Sequence, residues 1–190
     1  EQDLCVCGTA GDGETALSEI KKARADIAIV DVSMQKGKNG IELTKELHEL
    51  IPQLKILMLS QNSEEIYAER AIRAGAHGYI TKSEATKTLV SAIRTVMEGK
   101  IHLSDNMMSK ILIETLHNKS SKSNPIDLLS DREFEVFILM GKGYKSSDIA
   151  EKMQIRIKTV DSHRFHIKEK FNLESVADIV KYAIEWSKNH

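Results

Sequence analysis

The chain has 190 residues, 41% of them hydrophobic, and its 27 Lys and Arg nearly balance its 28 Asp and Glu. That length suits two small domains, and the charge balance excludes a general electrostatic pull toward nucleic acid, so any such contact must come from a local patch. No apolar run is long enough to cross a membrane and the polar, acidic start carries no signal-peptide pattern, so a cytoplasmic protein with no membrane partner is expected.

Leu4 to Gly8 alternates in a way that predicts a strand, with Cys5 and Cys7 on one face. Two cysteines so close cannot frame an ordinary disulfide scaffold, and buried thiols in a reducing compartment are the expectation. Gly8 to Thr15, GTAGDGET, matches a phosphate-binding loop except that Glu14 stands in the Lys position. A carboxylate there repels phosphate, so the segment reads as a strand-to-helix turn. Helical periodicity over Asp12 to Ala25, Gly40 to Ile51 and Glu64 to Ala74 separates three apolar runs, Asp26 to Val32, Lys55 to Ser60 and His77 to Lys82. Such runs suit parallel strands buried on both faces. Gly75 is placed to close the third helix in a left-handed conformation, and a fourth helix is predicted over Lys87 to Glu98.

The result is an open α/β sheet, in which chemistry gathers beyond the carboxyl ends of the strands. Those ends carry Asp31, Ser60 and Lys82. An Asp carboxylate accepts a phosphoryl group as a labile acyl phosphate, while a hydroxyl and an ammonium hold its oxygens. Singly, each residue is an ordinary solvent-facing strand end; together they suggest a phosphoryl site. No Ser/His/Asp set, metal-ligand cluster or acid/base pair stands in suitable register, so a turnover enzyme is not expected.

From Asp105 to Ile126 the character changes. Met107, Ile111, Leu112 and Leu116 suit a short amphipathic helix, and NKSSKSNP, Asn118 to Pro125, suits a polar linker. Beyond it, Ser130 with Glu133 forms a capping box for a helix whose apolar face carries Phe134, Phe137, Ile138 and Gly141. Ser146 or Ser147 is positioned to cap a second helix with Ile149, Ala150 and Met153 inward. Only Gln154 to Arg156 separates it from a third, Ile157 to Phe171, so the pair must turn sharply, as in a helix-turn-helix. Val160, His163, Ile167 and Phe171 form that helix's core stripe, and Ser175 with Asp178 starts a fourth helix carrying Val176, Ile179, Val180, Ala183 and Ile184. Near the middle of the third helix's polar side stands Phe165, among Lys158, Asp161, Ser162, Lys168 and Glu169. It either packs on another helix or a dimer mate, or touches a thymine methyl in a major groove. Arg156, Lys158, Arg164, Lys168 and Lys170 outnumber Asp161 and Glu169 over this stretch, which makes it the source of phosphate contact. A patch this small predicts modest monomer affinity, steep salt dependence and dimers on paired half-sites.

The segment KTVDSHRFHIKEKFNL, Lys158 to Leu173, resembles the recognition-helix pattern of LuxR-type helix-turn-helix domains, and with Asp31, Ser60 and Lys82 the whole chain resembles the NarL/FixJ family of response regulators. The resemblance implies a flavodoxin-like α/β receiver with a parallel sheet over residues 1–104, a linker over 105–126, and an all-α four-helix DNA-binding domain over 127–190. It implies Asp31 as phosphoacceptor from a sensor histidine kinase, Ser60 and Lys82 as phosphoryl-binding groups, Tyr79 as the aromatic switch, and Mg²⁺ held in part by Asp31 and the Ser33 carbonyl. It places Asp161, Ser162 and Phe165 at base-reading positions on double-stranded DNA, and Lys158, Thr159, Arg164, His166 and Lys168 at or near backbone-contacting ones. The family also implies a homodimer, and a receiver that masks the recognition helix until phosphorylation shifts the population.

Several departures stand out. The family's receivers begin with a strand and an acidic pair that completes the Mg²⁺ site, whereas this chain starts at what matches the second strand, so an N-terminally incomplete receiver is expected. If the parent protein truly lacks these elements, the alternative is a phosphorylation-independent DNA-binding regulator whose receiver serves dimerisation or protein interaction. The Asp31 loop, DVSMQKGKNG, is one residue longer than usual, with Gln35 where Pro is common.

Overall fold

Three short apolar runs build the sheet: β1 (Ile27–Asp31), β2 (Lys55–Ser60) and β3 (Gly78–Thr81). They pair in parallel in the order β1-β2-β3, with Asp31 opposite Leu59 and Ser60 opposite Thr81, so the carboxyl ends stand side by side. The computed structural model describes residues 1–34, 38–117 and 125–188. It divides into two compact units, residues 1–119 and 120–190. Gln35 and most of the Asn118 to Pro125 linker fall outside the described residues.

In the first unit, α1 (Gly13–Ala23), α2 (Gly40–Leu50), α3 (Glu64–Arg73), α4 (Lys82–Met97) and α5 (Asp105–His117) accompany the strands. Ile56, Leu57 and Met58 of the central strand are fully buried, each worth about 1.5–3 kcal/mol relative to exposure. Successive residues face opposite sides. Leu57 joins Ile80, Ala92, Ile93 and Val96 beneath α4, whereas Met58 Sδ takes a hydrogen bond from the buried Thr44 hydroxyl of α2. Helices thus cover both faces. Asp12 caps α1 by accepting from the Thr15 N–H at 2.8 Å, which makes GTAGDGET the turn that Glu14 implied. Gly75 adopts φ +100, and a Cβ there would lie 2.4 Å from the His48 ring.

Three expectations need correction. Leu4 to Gly8 forms no strand; Val6 is 82% exposed and both cysteines are exposed free thiols. Alternation makes a strand only when a neighbour supplies the ladder and a layer covers one face. Here Arg94 of α4 instead reaches Glu1 and Asp3, each at 3.2 Å. Second, β1 is not buried on both faces: it pairs only with β2 among the described residues, and Ile29 is 45% exposed. Third, α4 starts at Lys82 rather than Lys87, because Ala85 extends the stripe that packs on the core by one turn ahead of Leu89.

In the second unit, a 3-10 turn (Pro125–Leu128) precedes α6 (Asp131–Gly141), α7 (Ser146–Met153), α8 (Ile157–Lys170) and α9 (Val176–Lys188). The predicted capping box of α6 is present, with Glu133 N–H to Ser130 Oγ at 3.3 Å and Ser130 N–H to Glu133 Oε2 at 2.8 Å. Ser175 and Asp178 make the same exchange ahead of α9. Phe137 centres the aromatic core, edge-on to Phe171 at 5.6 Å and tilted against Tyr182 at 5.9 Å. Helices α6 and α9 approach so closely that a Cβ on Gly141 would lie 2.8 Å from the Ala183 carbonyl oxygen. The cap of α7 differs from expectation: Lys145 is the N-cap and Ser146 is already helical. Asp148 accepts from the Lys145 N–H at 3.3 Å, so the acid three residues on closes this end.

Candidate phosphoryl site and nucleic-acid interface

Asp31 ends β1 with its carboxylate at the carboxyl edge of the sheet. Oδ1 accepts from the Ser33 N–H at 3.0 Å, and Oδ2 receives the Lys82 ammonium at 2.5 Å. Lys82 reaches it because β3 ends at Thr81 and α4 begins immediately after, two strands away in the same sheet. Both side chains of this pair are about a third exposed (35% and 36%), so a ligand can approach them.

Ser60, fully buried, accepts from the Asn62 N–H at 3.0 Å. Tyr79 is turned inward and buried, and its hydroxyl donates to the Asn62 carbonyl at 3.0 Å. The two peptide groups of Asn62 thus join Ser60 to Tyr79 through the backbone. Burial drives the Tyr79 phenol well above its ordinary pKa against the opposing hydrogen bond to Ser60, and the charges of Glu64, Glu65 and Asp31 add to the rise. The phenol therefore stays a donor at any physiological pH.

Two residues escaped the sequence reading. Gly40 begins α2 where a Cβ would lie 2.1 Å from the Asp31 carbonyl oxygen, and its N–H donates to the Val32 carbonyl at 3.0 Å. Asn39, buried, caps α2 by accepting from the Ile41 and Glu42 N–H groups at 3.1 and 2.9 Å. Together they draw the far end of the Asp31 loop back against the strand end; the buried Asn followed by Gly was the available signal.

Receiver domains generally use Mg²⁺ for phosphorylation. The Asp31 carboxylate and the Ser33 carbonyl are oxygen donors of the kind the ion prefers, but they fall well short of an octahedral set. Among the described residues no group of three or more His, Cys, Asp and Glu could hold a metal. These residues alone therefore do not make the site.

In the second unit, Val160 and Ile167 anchor α8 in the core. Lys158, Thr159, Asp161, Ser162, Phe165 and His166 are exposed, while Arg164 and Lys168 are half-buried. Phe165 is 56% exposed, with the Lys168 ammonium 5.8 Å from its ring centroid. Packing within the unit therefore does not account for this aromatic. Arg164 turns back to donate from Nη1 to the Ser146 hydroxyl and lies 3.5 Å from Asp161 Oδ1. At the other end of α8, Lys170 Nζ meets the buried Glu133 carboxylate at 2.6 Å and His166 Nδ1 lies 3.5 Å from it. Burial pushes Glu133 up, but the Lys170 and Ser130 hydrogen bonds outweigh it and hold the carboxyl below its usual range. Glu133 was read only as a helix cap, since its second role depends on residues more than thirty positions away.

Comparison with known proteins assigns both units. The response regulator receiver domain matches residues 1–94, and the luxR family of bacterial regulatory proteins matches residues 127–183. The oxygen regulatory protein NreC of Staphylococcus epidermidis is 36% identical over 190 residues, covering 97% of this chain and 87% of that protein. NreC of Staphylococcus carnosus is 36% identical over 189 residues, with the same coverage of 97% and 87%. Among solved structures, the two-component response regulator RcsB in complex with DNA superposes with TM-score 0.58 at 23% identity, covering 96% of this chain and 88% of that one. The Salmonella typhimurium RcsB response regulator gives TM-score 0.58 at 24% identity, covering 95% and 84%; at such identities the likeness shows the fold. With both units matched in this order and relatives aligned across nearly the whole chain, the protein belongs to the NarL/FixJ-type response regulators, transcription regulators in which a receiver domain precedes a LuxR-type DNA-binding domain.

Proposed function

We propose that this regulator is switched by phosphorylation of Asp31 and binds double-stranded DNA through α8. The observation that carries the reading is the Asp31–Lys82 pair at the open edge of the sheet, beside a Ser60 and a Tyr79 that both grip the Asn62 peptide groups. Attack of an Asp31 oxygen on the phosphohistidine of a sensor kinase breaks the P–N bond and forms an acyl phosphate. The Lys82 ammonium moves from carboxylate to phosphoryl oxygen, cancelling charge. The Ser60 hydroxyl leaves the Asn62 N–H to donate to a second phosphoryl oxygen, and the freed Asn62 peptide carries the change to Tyr79. Asp31 and the Ser33 carbonyl are the donors this segment would contribute to Mg²⁺.

In this reading residues 1–104 are the receiver, 105–126 the linker bearing α5, and 127–190 the DNA-binding domain. Base edges fall to Asp161, Ser162 and Phe165, the last against a thymine methyl. Backbone contact falls to Lys158, Thr159, His166 and Lys168, with Arg164 near them. The patch is small, so a homodimer on paired half-sites supplies the affinity. No described helix is long and apolar enough to cross a membrane, and a DNA-binding partner of a kinase fits the cytoplasm. Mass spectrometry of the chain treated with acetyl phosphate and Mg²⁺ tests the switch: phosphate mapped to Asp31 supports it, whereas an unmodified Asp31 points to the phosphorylation-independent regulator.

A further inference from the structure

We propose that Asp161 reads the exocyclic amino group of a cytosine in the major groove, and that Arg164 and Ser146 neutralise and aim its carboxylate for that purpose. The inference rests on α8 being the groove-entering helix and goes beyond it by naming the base. A carboxylate on a DNA-facing surface is a liability, because the duplex phosphates repel it. Here that charge has a built-in counter-ion. Arg164 Nη1 lies 3.5 Å from Asp161 Oδ1, and the Ser146 hydroxyl donates to the same oxygen at 3.2 Å while receiving Arg164 itself. Arg164 is held in the angle between α7 and α8, its side chain only 26% exposed and its Nε buried with no partner among the described residues. A guanidinium so enclosed is poorly placed to reach a phosphate, and its geometry serves Asp161 instead. Both Asp161 contacts fall on Oδ1, and the side chain is 57% exposed, so Oδ2 is the oxygen left to accept from a base.

The base follows from the acceptor. In the major groove the donors are the amino groups of cytosine and adenine; adenine sets its N7 acceptor beside the amino group, where a carboxylate is repelled, whereas cytosine presents the donor alone. Arg164 is thus a positioning residue, and Asp161 a specificity residue.

The test selects binding sites for the full chain, and for Asp161→Asn, Arg164→Met and Arg164→Lys, from a random-sequence duplex library. The wild-type motif should hold one C·G pair that Asp161→Asn loses or exchanges for A·T. Replacing that cytosine with 2-pyrimidinone, which lacks only the amino group, should weaken wild-type binding roughly five- to a hundredfold and leave Asp161→Ala unaffected. Arg164→Met should shrink this discrimination and Arg164→Lys restore part of it, which a merely structural role would not produce. A motif unchanged in Asp161→Asn, or equal sensitivity of wild type and Asp161→Ala to the missing amino group, would overturn the proposal while leaving DNA binding intact. Failure to enrich any sequence would overturn the reading of α8 and this proposal with it.

Discussion

Gly40 and Glu133 carry the heaviest structural demands on single residues. A Cβ at Gly40 would stand 2.1 Å from the Asp31 carbonyl oxygen, so strand end or helix start must move. Gly40→Ala should cost at least about 3 kcal/mol in chemical denaturation and slow phosphorylation of Asp31 even where the unit still folds. Glu133 combines a helix cap with a buried ion pair to Lys170 at the far end of α8. Glu133→Ala should destabilise the DNA-binding unit by about 2–4 kcal/mol, because it leaves Lys170 and the Ser130 N–H without their acceptor; Glu133→Gln, which keeps the cap, should cost less than half of that. Because the folded-state pKa of Glu133 is depressed, its contribution is present above the ordinary value of 4.5 and is lost as pH falls through the lower folded value. Acid unfolding of the isolated transition should therefore be shallower in Glu133→Gln. His77 works in the other unit: burial first, then Lys55 and His48, lower its pKa from 6.5. Its stabilising contribution is complete above that value and fades as pH drops below it, so His77→Gln should flatten the pH dependence of receiver stability below the ordinary value of 6.5.

At the scale of elements, β2 was legible to the residue because a strand buried on both faces leaves a continuous apolar run, Ile56 to Leu59, in the sequence. Helices α1 to α3 and α6 to α9 were legible for a similar reason, their stripes and acid-assisted starts being local. What failed was what depends on a neighbour. Leu4 to Gly8 has a strand's alternation but pairs with no strand among the described residues, and the earlier start of α4 goes with Ala85 meeting the core. Ser146 looked like a cap and proved to be a partner of Arg164 and Asp161 on another helix. The residues of the phosphoryl site were readable as strand ends, yet the Asn62 link between Ser60 and Tyr79 was not, since it runs through peptide groups rather than side-chain types. The recognition helix shows the same division. Of the five basic residues from Arg156 to Lys170, Arg164 and Lys170 are held by Asp161 and the buried Glu133, leaving Arg156, Lys158 and Lys168 for phosphates. A dimer would then neutralise about six phosphates, and the plot of log K against log salt should have a slope near −5, not the near −9 that all five would give. Phe165→Ala should lower DNA affinity by about 1–2 kcal/mol with no change in unfolding midpoint, since the exposed ring lies outside the core and is proposed to meet the duplex.

For the molecule as a whole, the proposed function divides the labour between two compact units: one presents the Asp31–Lys82 pair for phosphoryl transfer, the other presents α8 to a groove. In the proposed mechanism phosphorylation shifts the population toward a DNA-competent dimer, and so its signature is a change in DNA affinity that depends on one side chain of the first unit. The most direct test is the affinity of the full chain for its selected DNA site before and after acetyl phosphate with Mg²⁺, measured in parallel for Asp31→Asn. Our account predicts that phosphodonor tightens binding by tenfold or more in the wild type and leaves Asp31→Asn unchanged; equal affinity with and without phosphodonor in the wild type would contradict it.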